Sequence, residues 1–179
     1  MIDLSTVDNF LDRIFKIIKQ QEINVEGLEL DHLCFRVETE EEYNKATKQL
    51  SKIGSLLSEA IIAGRNISTF KLDKPIYYQN YEIDCIEIPA PGKGKNYKTG
   101  WEHAEFVLEK GFSDFIKKHP HIEFNKKSMQ KAHNPDIKVT SKDIKGRSIS
   151  IKFHLSSLEQ VIEEENMQKL KSNSNPLKK

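Results

Sequence analysis

The chain has 179 residues, 31% of them charged and 37% hydrophobic, with 28 basic residues against 27 acidic ones and a formal net charge of +1 at pH 7. That length suits one domain or two small modules sharing a core, and the balanced charge excludes a general bias toward nucleic acid or an anionic membrane surface. No apolar run approaches the roughly 20 residues of a membrane-crossing helix, Met1-Ile2-Asp3-Leu4-Ser5 lacks the basic start and apolar stretch of a secretion signal, and two cysteines, Cys34 and Cys85, make no disulfide framework, so a cytosolic protein with reduced thiols is expected.

Residues 5–20 predict a helix, with Leu11, Ile14, Phe15, Ile17 and Ile18 on one face and Ser5 or Thr6 placed to cap it. Residues 30–37 alternate as a strand: Leu33, Phe35 and Val37 point one way, and His32, Cys34 and Arg36 the other. Thr39 before Glu40-Glu41-Glu42 predicts a helix start with acids at the positive end of its dipole. That helix runs to about Lys52 and stops at Gly54. Strands follow over 55–63 and 66–73, joined through Gly64, with Pro75 closing the second. Another spans 81–88, with Ile86 and Ile88 on one face and Ile83, Cys85 and Glu87 on the other.

Residues 89–99, opening with Pro89-Ala90-Pro91-Gly92, read as a connection. The order then repeats: a strand over 101–108, a helix over 112–119, strands over 121–128 and 136–142, and a strand over 147–154. In this last strand Ile149, Ile151 and Phe153 alternate with Ser148, Ser150, Lys152 and His154. A helix over 156–170, capped by Ser156 or Ser157 and striped by Leu158, Val161 and Ile162, ends the fold. Residues 172–179 lack the hydrophobicity to pack and are expected to be disordered. The prediction is an α+β domain over 1–171: βαβββ modules at about 30–89 and 100–155 form a curled eight-stranded mixed sheet, a half-open barrel, with added N- and C-terminal helices.

Two stretches nearly repeat. Asp31-His32-Leu33-Cys34-Phe35 and Glu102-His103-Ala104-Glu105-Phe106 both read acid, His, apolar, any, Phe, with histidines 71 positions apart. Such a period marks a duplicated module, and a histidine in each copy points to a shared site. The faces opposite the apolar ones carry His32 and Arg36 on the first strand, Glu87 on the fourth, His103 and Glu105 on the fifth, and Lys152 and His154 on the last. If these faces line one cavity, His32, Glu87, His103 and His154 converge, and imidazole with carboxylate suits zinc, iron, nickel or manganese. Glu87 and His154 are 67 residues apart, which reads as a second quasi-symmetric pair.

The double βαβββ order with histidines opening the first and fifth strands resembles the vicinal-oxygen-chelate superfamily of glyoxalase I, extradiol dioxygenases, epimerases and antibiotic-resistance proteins. More closely, the chain resembles the YecM family within it. The likeness rests on Asp31-His32-Leu33-Cys34-Phe35-Arg36, Phe70-Lys71-Leu72, Glu87-Ile88-Pro89-Ala90-Pro91-Gly92, Gly100-Trp101-Glu102-His103, Asn134-Pro135 and Ile151-Lys152-Phe153-His154, and covers about residues 5–165. It implies metal ligands from the first, fourth, fifth and eighth strands, which here are His32, Glu87, His103 and the stretch from Lys152 to His154. Superfamily enzymes carry a carboxylate on the last strand, and this chain has no Asp or Glu between Asp143 and Glu159. Either His154 replaces it, or Lys152 stands there and a metal keeps three protein ligands.

The other polar residues take roles around that site. Lys152 and Glu105 are candidates for proton transfer, with a partly enclosed Lys152 able to titrate below its ordinary value. Glu105 also reads as a ligand in place of Glu87 or, more readily, as a solvated rim residue. Arg36 and Arg65 are candidates for holding a substrate anion. His154 reads as a ligand or as a group orienting one. Cys34 and Cys85 read as small packing residues on the cavity side, and His119, His121 and His133 as surface groups. The basic stretch from Lys93 to Lys98 is short and holds one aromatic, Tyr97, which fits a lid rather than a nucleic-acid site. The expected function is a metal-dependent isomerase, lyase or oxygenase acting on a small anionic, oxygen-rich molecule. The rivals are a small-molecule binding or sequestering protein and a metal-binding regulator.

Overall fold

The computed structural model describes residues 2–94, 96–142 and 146–173. A single 3-10 turn, Leu4–Thr6, leads into helix α1, Val7–Gln20. Asp3 caps the turn through the Ser5 amide, while the Thr6 hydroxyl donates back to the Asp3 carbonyl and accepts from the Trp101 indole, so neither expected residue caps α1 itself. Strand β1, Glu29–Arg36, follows, then α2, Glu40–Leu50. The Thr39 hydroxyl accepts from the Glu42 amide and Glu42 reaches back to the Glu38 amide, which is the T-x-x-E start read from sequence. Strands β2 (Gly54–Ile62), β3 (Arg65–Tyr78) and β4 (Tyr81–Pro89) complete the first module. The second holds β5 (Gly100–Val107), α3 (Phe112–Lys118), β6 (Ile137–Lys142) and β7 (Ser148–His154), and α4 (Leu158–Asn173) closes the described chain. At α4 the Ser157 hydroxyl accepts from the Gln160 amide, fulfilling one of the two expected caps.

Among the described residues the strands form one seven-stranded mixed sheet in the order β2-β3-β4-β1-β5-β7-β6. The expected eight-stranded half-open barrel is therefore corrected: the sheet is open, neither closed nor strongly curled, with β2 and β6 at its edges. The order is nearly symmetric about the antiparallel β1/β5 pair, with β4 matching β7 and β3 matching β6. What is missing is the partner of β2. The predicted strand over 121–128 retains only the bridge between Asn125 and Lys138. Its backbone amides go to local turns, Ile122 to His119 and Phe124 to Ile122, and so have no ladder to join.

β3 also runs beyond its predicted stop at Pro75. Pairing with β4 lapses after Lys71 and resumes at Ile76, so Pro75 sits in an irregular stretch where no ladder donor is needed. Of the predicted disordered tail, residues 172 and 173 end α4 and the remainder lies outside the described residues.

One face of the sheet is apolar. Leu33, Ile86, Ala104, Phe106, Ile151 and Phe153 are almost wholly buried there against α1, α2 and α3, which contribute Phe10, Leu11, Ile14, Tyr43, Leu50 and Phe115. Burying each large apolar side chain contributes about 1.5–3 kcal/mol, and this layer fixes which way every strand faces. α4 lies on the opposite side, its Leu158, Val161 and Ile162 facing a cleft floored by the polar face. No helix among the described residues is long and apolar enough to cross a membrane.

Candidate functional site

Strand register brings the polar side chains into two neighbouring rows. Glu87, Cys34, His103 and Ser150 pair across β4, β1, β5 and β7, and Cys85, His32, Glu105 and Lys152 form the next row. Between β1 and β5 the register slips twice. Leu30 pairs with Phe106 but His32 with Glu105, which leaves Asp31 as an extra residue on β1. Cys34 pairs with His103 but Phe35 with Trp101, which leaves Glu102 as an extra residue on β5. Each is a β-bulge, a device that re-aims side chains.

The bulges explain the repeated acid-His pairs. Adjacent residues of a regular strand point to opposite faces, yet the Asp31 carboxylate accepts from His32 Nδ1 at 2.6 Å and Glu102 lies 3.7 Å from His103 Nδ1. Asp31 also accepts from the Leu158 amide at 3.0 Å, tying the imidazole to the start of α4. Glu102 forms an ion pair with Arg36 as well.

Among the described residues, His32, His103 and Glu105 bring ligand-type atoms within 4.8 Å of one another, and all three are buried. Glu105 lies 2.8 Å from His103 Nε2 and 3.4 Å from His32 Nε2 through the same oxygen, which also accepts from Lys152 at 2.5 Å. Its other oxygen contacts His154 Nε2. Of its sequence readings, burial removes the solvated rim. Glu87 and His154 flank the group on the same face, from β4 and from β7, with Glu87 lying 3.9 Å from His103 Nε2.

The residues present fit a metal. His32 and His154 have their Nδ1 atoms held by Asp31 and by Asn134, the latter at 2.6 Å. Each Nε2 is buried and faces Glu105 within ion-pair range, but without the geometry of a regular hydrogen bond. Buried polar atoms are rarely left so, and imidazoles whose second nitrogen is held by an acceptor are the usual form of a metal-binding histidine. A His/His/Glu group of this kind can hold a divalent ion. Asn134 reaches His154 from a left-handed backbone, φ 43°, which Asn tolerates better than most residues.

Charges in the site act on one another. Burial opposes an imidazolium at His32, but Glu105 and the Asp31 hydrogen bond outweigh it and push its pKa up to about 10. Burial opposes a carboxylate at Glu105, but Lys152, His32 and His154 hold it well below the usual range. Burial likewise disfavours the Lys152 ammonium, and Glu105 and Glu87 more than offset this, so its pKa is raised. The expected downward shift of Lys152 is therefore reversed, because carboxylates surround it. Burial, then Glu87, raises the Cys34 thiol well above its ordinary range, and burial raises Cys85. Both stay neutral packing groups on the polar face.

Because the folded pKa of His32 lies above the ordinary 6.5, its pairing contributes stability that is fully present below about pH 6.5 and lost as the pH rises through about 10. Urea unfolding of metal-free protein should show a lower midpoint near pH 10 than near pH 6, with part of the difference removed by His32→Gln. An equal pH dependence in both proteins would place the charge elsewhere.

The group opens into a cleft of about 570 Å³ lined by Arg36, Arg65 and Lys152 and, on its apolar side, by Ile61, Ile67 and Ile162. Both guanidinium groups stand over the Tyr97 ring, at 4.6 Å for Arg36 and 5.7 Å for Arg65. Arg36 has a buried Nη1 with no hydrogen-bond partner, and Arg65 donates to the Ala90 carbonyl. His133 lines the same cleft although exposed. His119 is not a surface group: it is buried, with Nε2 accepting from the Asn24 amide and Nδ1 bonded to the Phe115 carbonyl. Sequence reasoning missed the holding roles of Asp31, Glu102 and Asn134. The acid before each histidine was the available signal for the first two.

The comparisons agree with this architecture. The profile of the YecM protein family matches residues 3–165. An uncharacterised protein of Haemophilus influenzae is 36% identical over 99 residues, 55% of this chain and 52% of that protein, so the chain spans about half the length of that relative. Protein YecM of Escherichia coli is 28% identical over 176 residues, covering 90% of this chain and 91% of its own. Among solved structures, the structural-genomics protein EC4020 has a TM-score of 0.72 at 27% identity over 90% of each chain. A methylmalonyl-CoA epimerase has a TM-score of 0.50 at 12% identity over 72% of this chain and 97% of its own, a likeness of fold alone. Matched by the family profile from the first turn to the middle of α4, the chain belongs to the YecM family.

Proposed function

We propose that the protein is a metal-dependent enzyme acting on a small anionic, oxygen-rich molecule by isomerase, lyase or oxygenase chemistry. The observation that carries this reading is the pair of buried Nε2 atoms of His32 and His154 that converge on one carboxylate, Glu105, at the floor of a cleft bearing three cationic side chains. His32, His103 and Glu105 would hold a zinc, iron, nickel or manganese ion, with Glu87 and His154 beside them as further ligands. A bound ion supplies Lewis-acid stabilisation of a developing oxyanion. Arg36 and Arg65 orient the substrate's anionic group, Lys152 holds a proton at Nζ next to the reacting oxygens, and the α4 apolar stripe excludes water.

Elemental analysis of protein purified without a polyhistidine tag tests this. About one equivalent of metal is expected in the wild type, and His103→Ala should lower its affinity by roughly 100-fold or more. Equal, negligible metal in both would sink the proposal. Iron would favour oxygenase chemistry, and zinc, nickel or manganese an isomerase or lyase. The second reading, a binding or sequestering cup without turnover, is favoured by one observation: Glu105 has a cationic partner of its own in Lys152. A binder of that kind would hold its ligand without metal and tolerate His32→Ala.

A further inference from the structure

Lys152 stands where the symmetry of the fold puts a carboxylate in the other module. Glu87 pairs with Cys34, two residues after His32, and Lys152 pairs with Glu105, two residues after His103. Register therefore makes Lys152, not His154, the counterpart of Glu87. The spacing that coupled Glu87 with His154 in sequence is near this value only because the two candidates are neighbours on β7.

The Lys152 ammonium occupies the lone pairs that a metal would need. Its Nζ lies 2.5 Å from Glu105 Oε1 and 3.0 Å from His103 Nε2, and these are ligand-type atoms of two of the three grouped residues. The single lone pair of His103 Nε2 cannot serve an ammonium and a divalent ion together, and two cations sharing Glu105 at that separation repel strongly in a buried site. Lys152 has somewhere to go. Its side chain is 21% exposed and lines the cleft together with Arg36 and Arg65.

The geometry points to cation exchange at this site: Lys152 is the resident counter-ion of Glu105 and His103, and a divalent metal enters only by displacing its ammonium into the cleft. The displaced group is then free to pair with an anionic oxygen, a carboxylate or phosphate, on the substrate. Metal loading and completion of the anion subsite become one event. This rests on the metal reading above and adds to it a reason for a lysine at this strand position. The exchange moves an intact ammonium and needs no proton transfer.

The test is zinc affinity measured by chelator competition on full-length protein. Lys152→Met removes the competing charge at similar length and is expected to bind zinc about tenfold or more tightly than wild type. Lys152→Arg keeps a cation and should stay close to wild type. Zinc binding of equal or lower affinity in Lys152→Met overturns the exchange while leaving the metal reading intact. No zinc binding in either protein overturns both. Should Lys152→Met fail to fold without metal, a crystal structure of zinc-loaded wild type decides. Lys152 Nζ is expected more than about 4 Å from Glu105, beyond ion-pair range, and a retained contact overturns the proposal.

Discussion

Glu105→Ala is expected to lower the stability of the metal-free protein by about 3–5 kcal/mol, the range for removing one partner of a buried ion pair. Glu105 is 2% exposed and is the carboxylate on which Lys152, His32, His103 and His154 converge. Without it, the Lys152 ammonium and a charged His32 face each other across a buried row with no intervening negative charge. The expected response is a fall in the urea midpoint and loss of the raised His32 pKa, followed by NMR of the imidazole. Glu105→Gln keeps the volume and one acceptor and should cost less. A loss under about 1 kcal/mol for the alanine variant would be that of an exposed ion pair and would contradict the burial of this carboxylate.

Asp31→Ala is expected to act in two places at once. It frees His32 Nδ1, and loss of such a holding group typically weakens metal binding about 10–100-fold. It also removes the acceptor for the Leu158 amide at the first residue of α4, a charge-assisted bond across 127 residues of chain. Hydrogen exchange at the first turn of α4 should therefore accelerate together with the drop in zinc affinity. Slower or unchanged exchange with weakened zinc binding would mean that α4 is held by its apolar stripe alone. Asp31→Asn retains one acceptor oxygen and should fall between wild type and alanine in both measurements.

How much of this was legible in the sequence depended on whether local pattern or pairing decided the outcome. α1, α2 and α4 are amphipathic or carry capping residues, and their positions follow from those alone. The faces of β1, β4, β5 and β7 followed from alternation, so the placing of His32, Glu87, His103 and His154 on one face of the sheet was readable before any coordinates. Three things were not. The stretch 121–128 alternates apolar residues well enough to read as a strand, but an edge strand is made by its neighbour, and β6 accepts it only at Asn125. Pro75 ends a strand by local rules, and the lapse in β3/β4 pairing that accommodates it is tertiary. Glu105 was placed on the correct face, yet whether it sits at the rim or the floor depends on α4 and the Asn134 loop, which close over it from distant parts of the chain.

The two bulges lie on opposite strands of the same ladder, one at each end of the three paired positions that carry the site. Their offsets cancel: the pairs outside them share one register, and the three between are shifted by a single residue. Removing the extra residue from either strand would leave every one of these pairs facing its partner, so core and cleft side chains keep their sides while one acid beside a histidine is lost. Shortening both would give one regular ladder in which His32 and His103 still share a face, each without the acid that holds its ring. A relative that keeps both histidines but lacks these two extra residues would therefore keep the ladder and lose the carboxylates that hold the two rings.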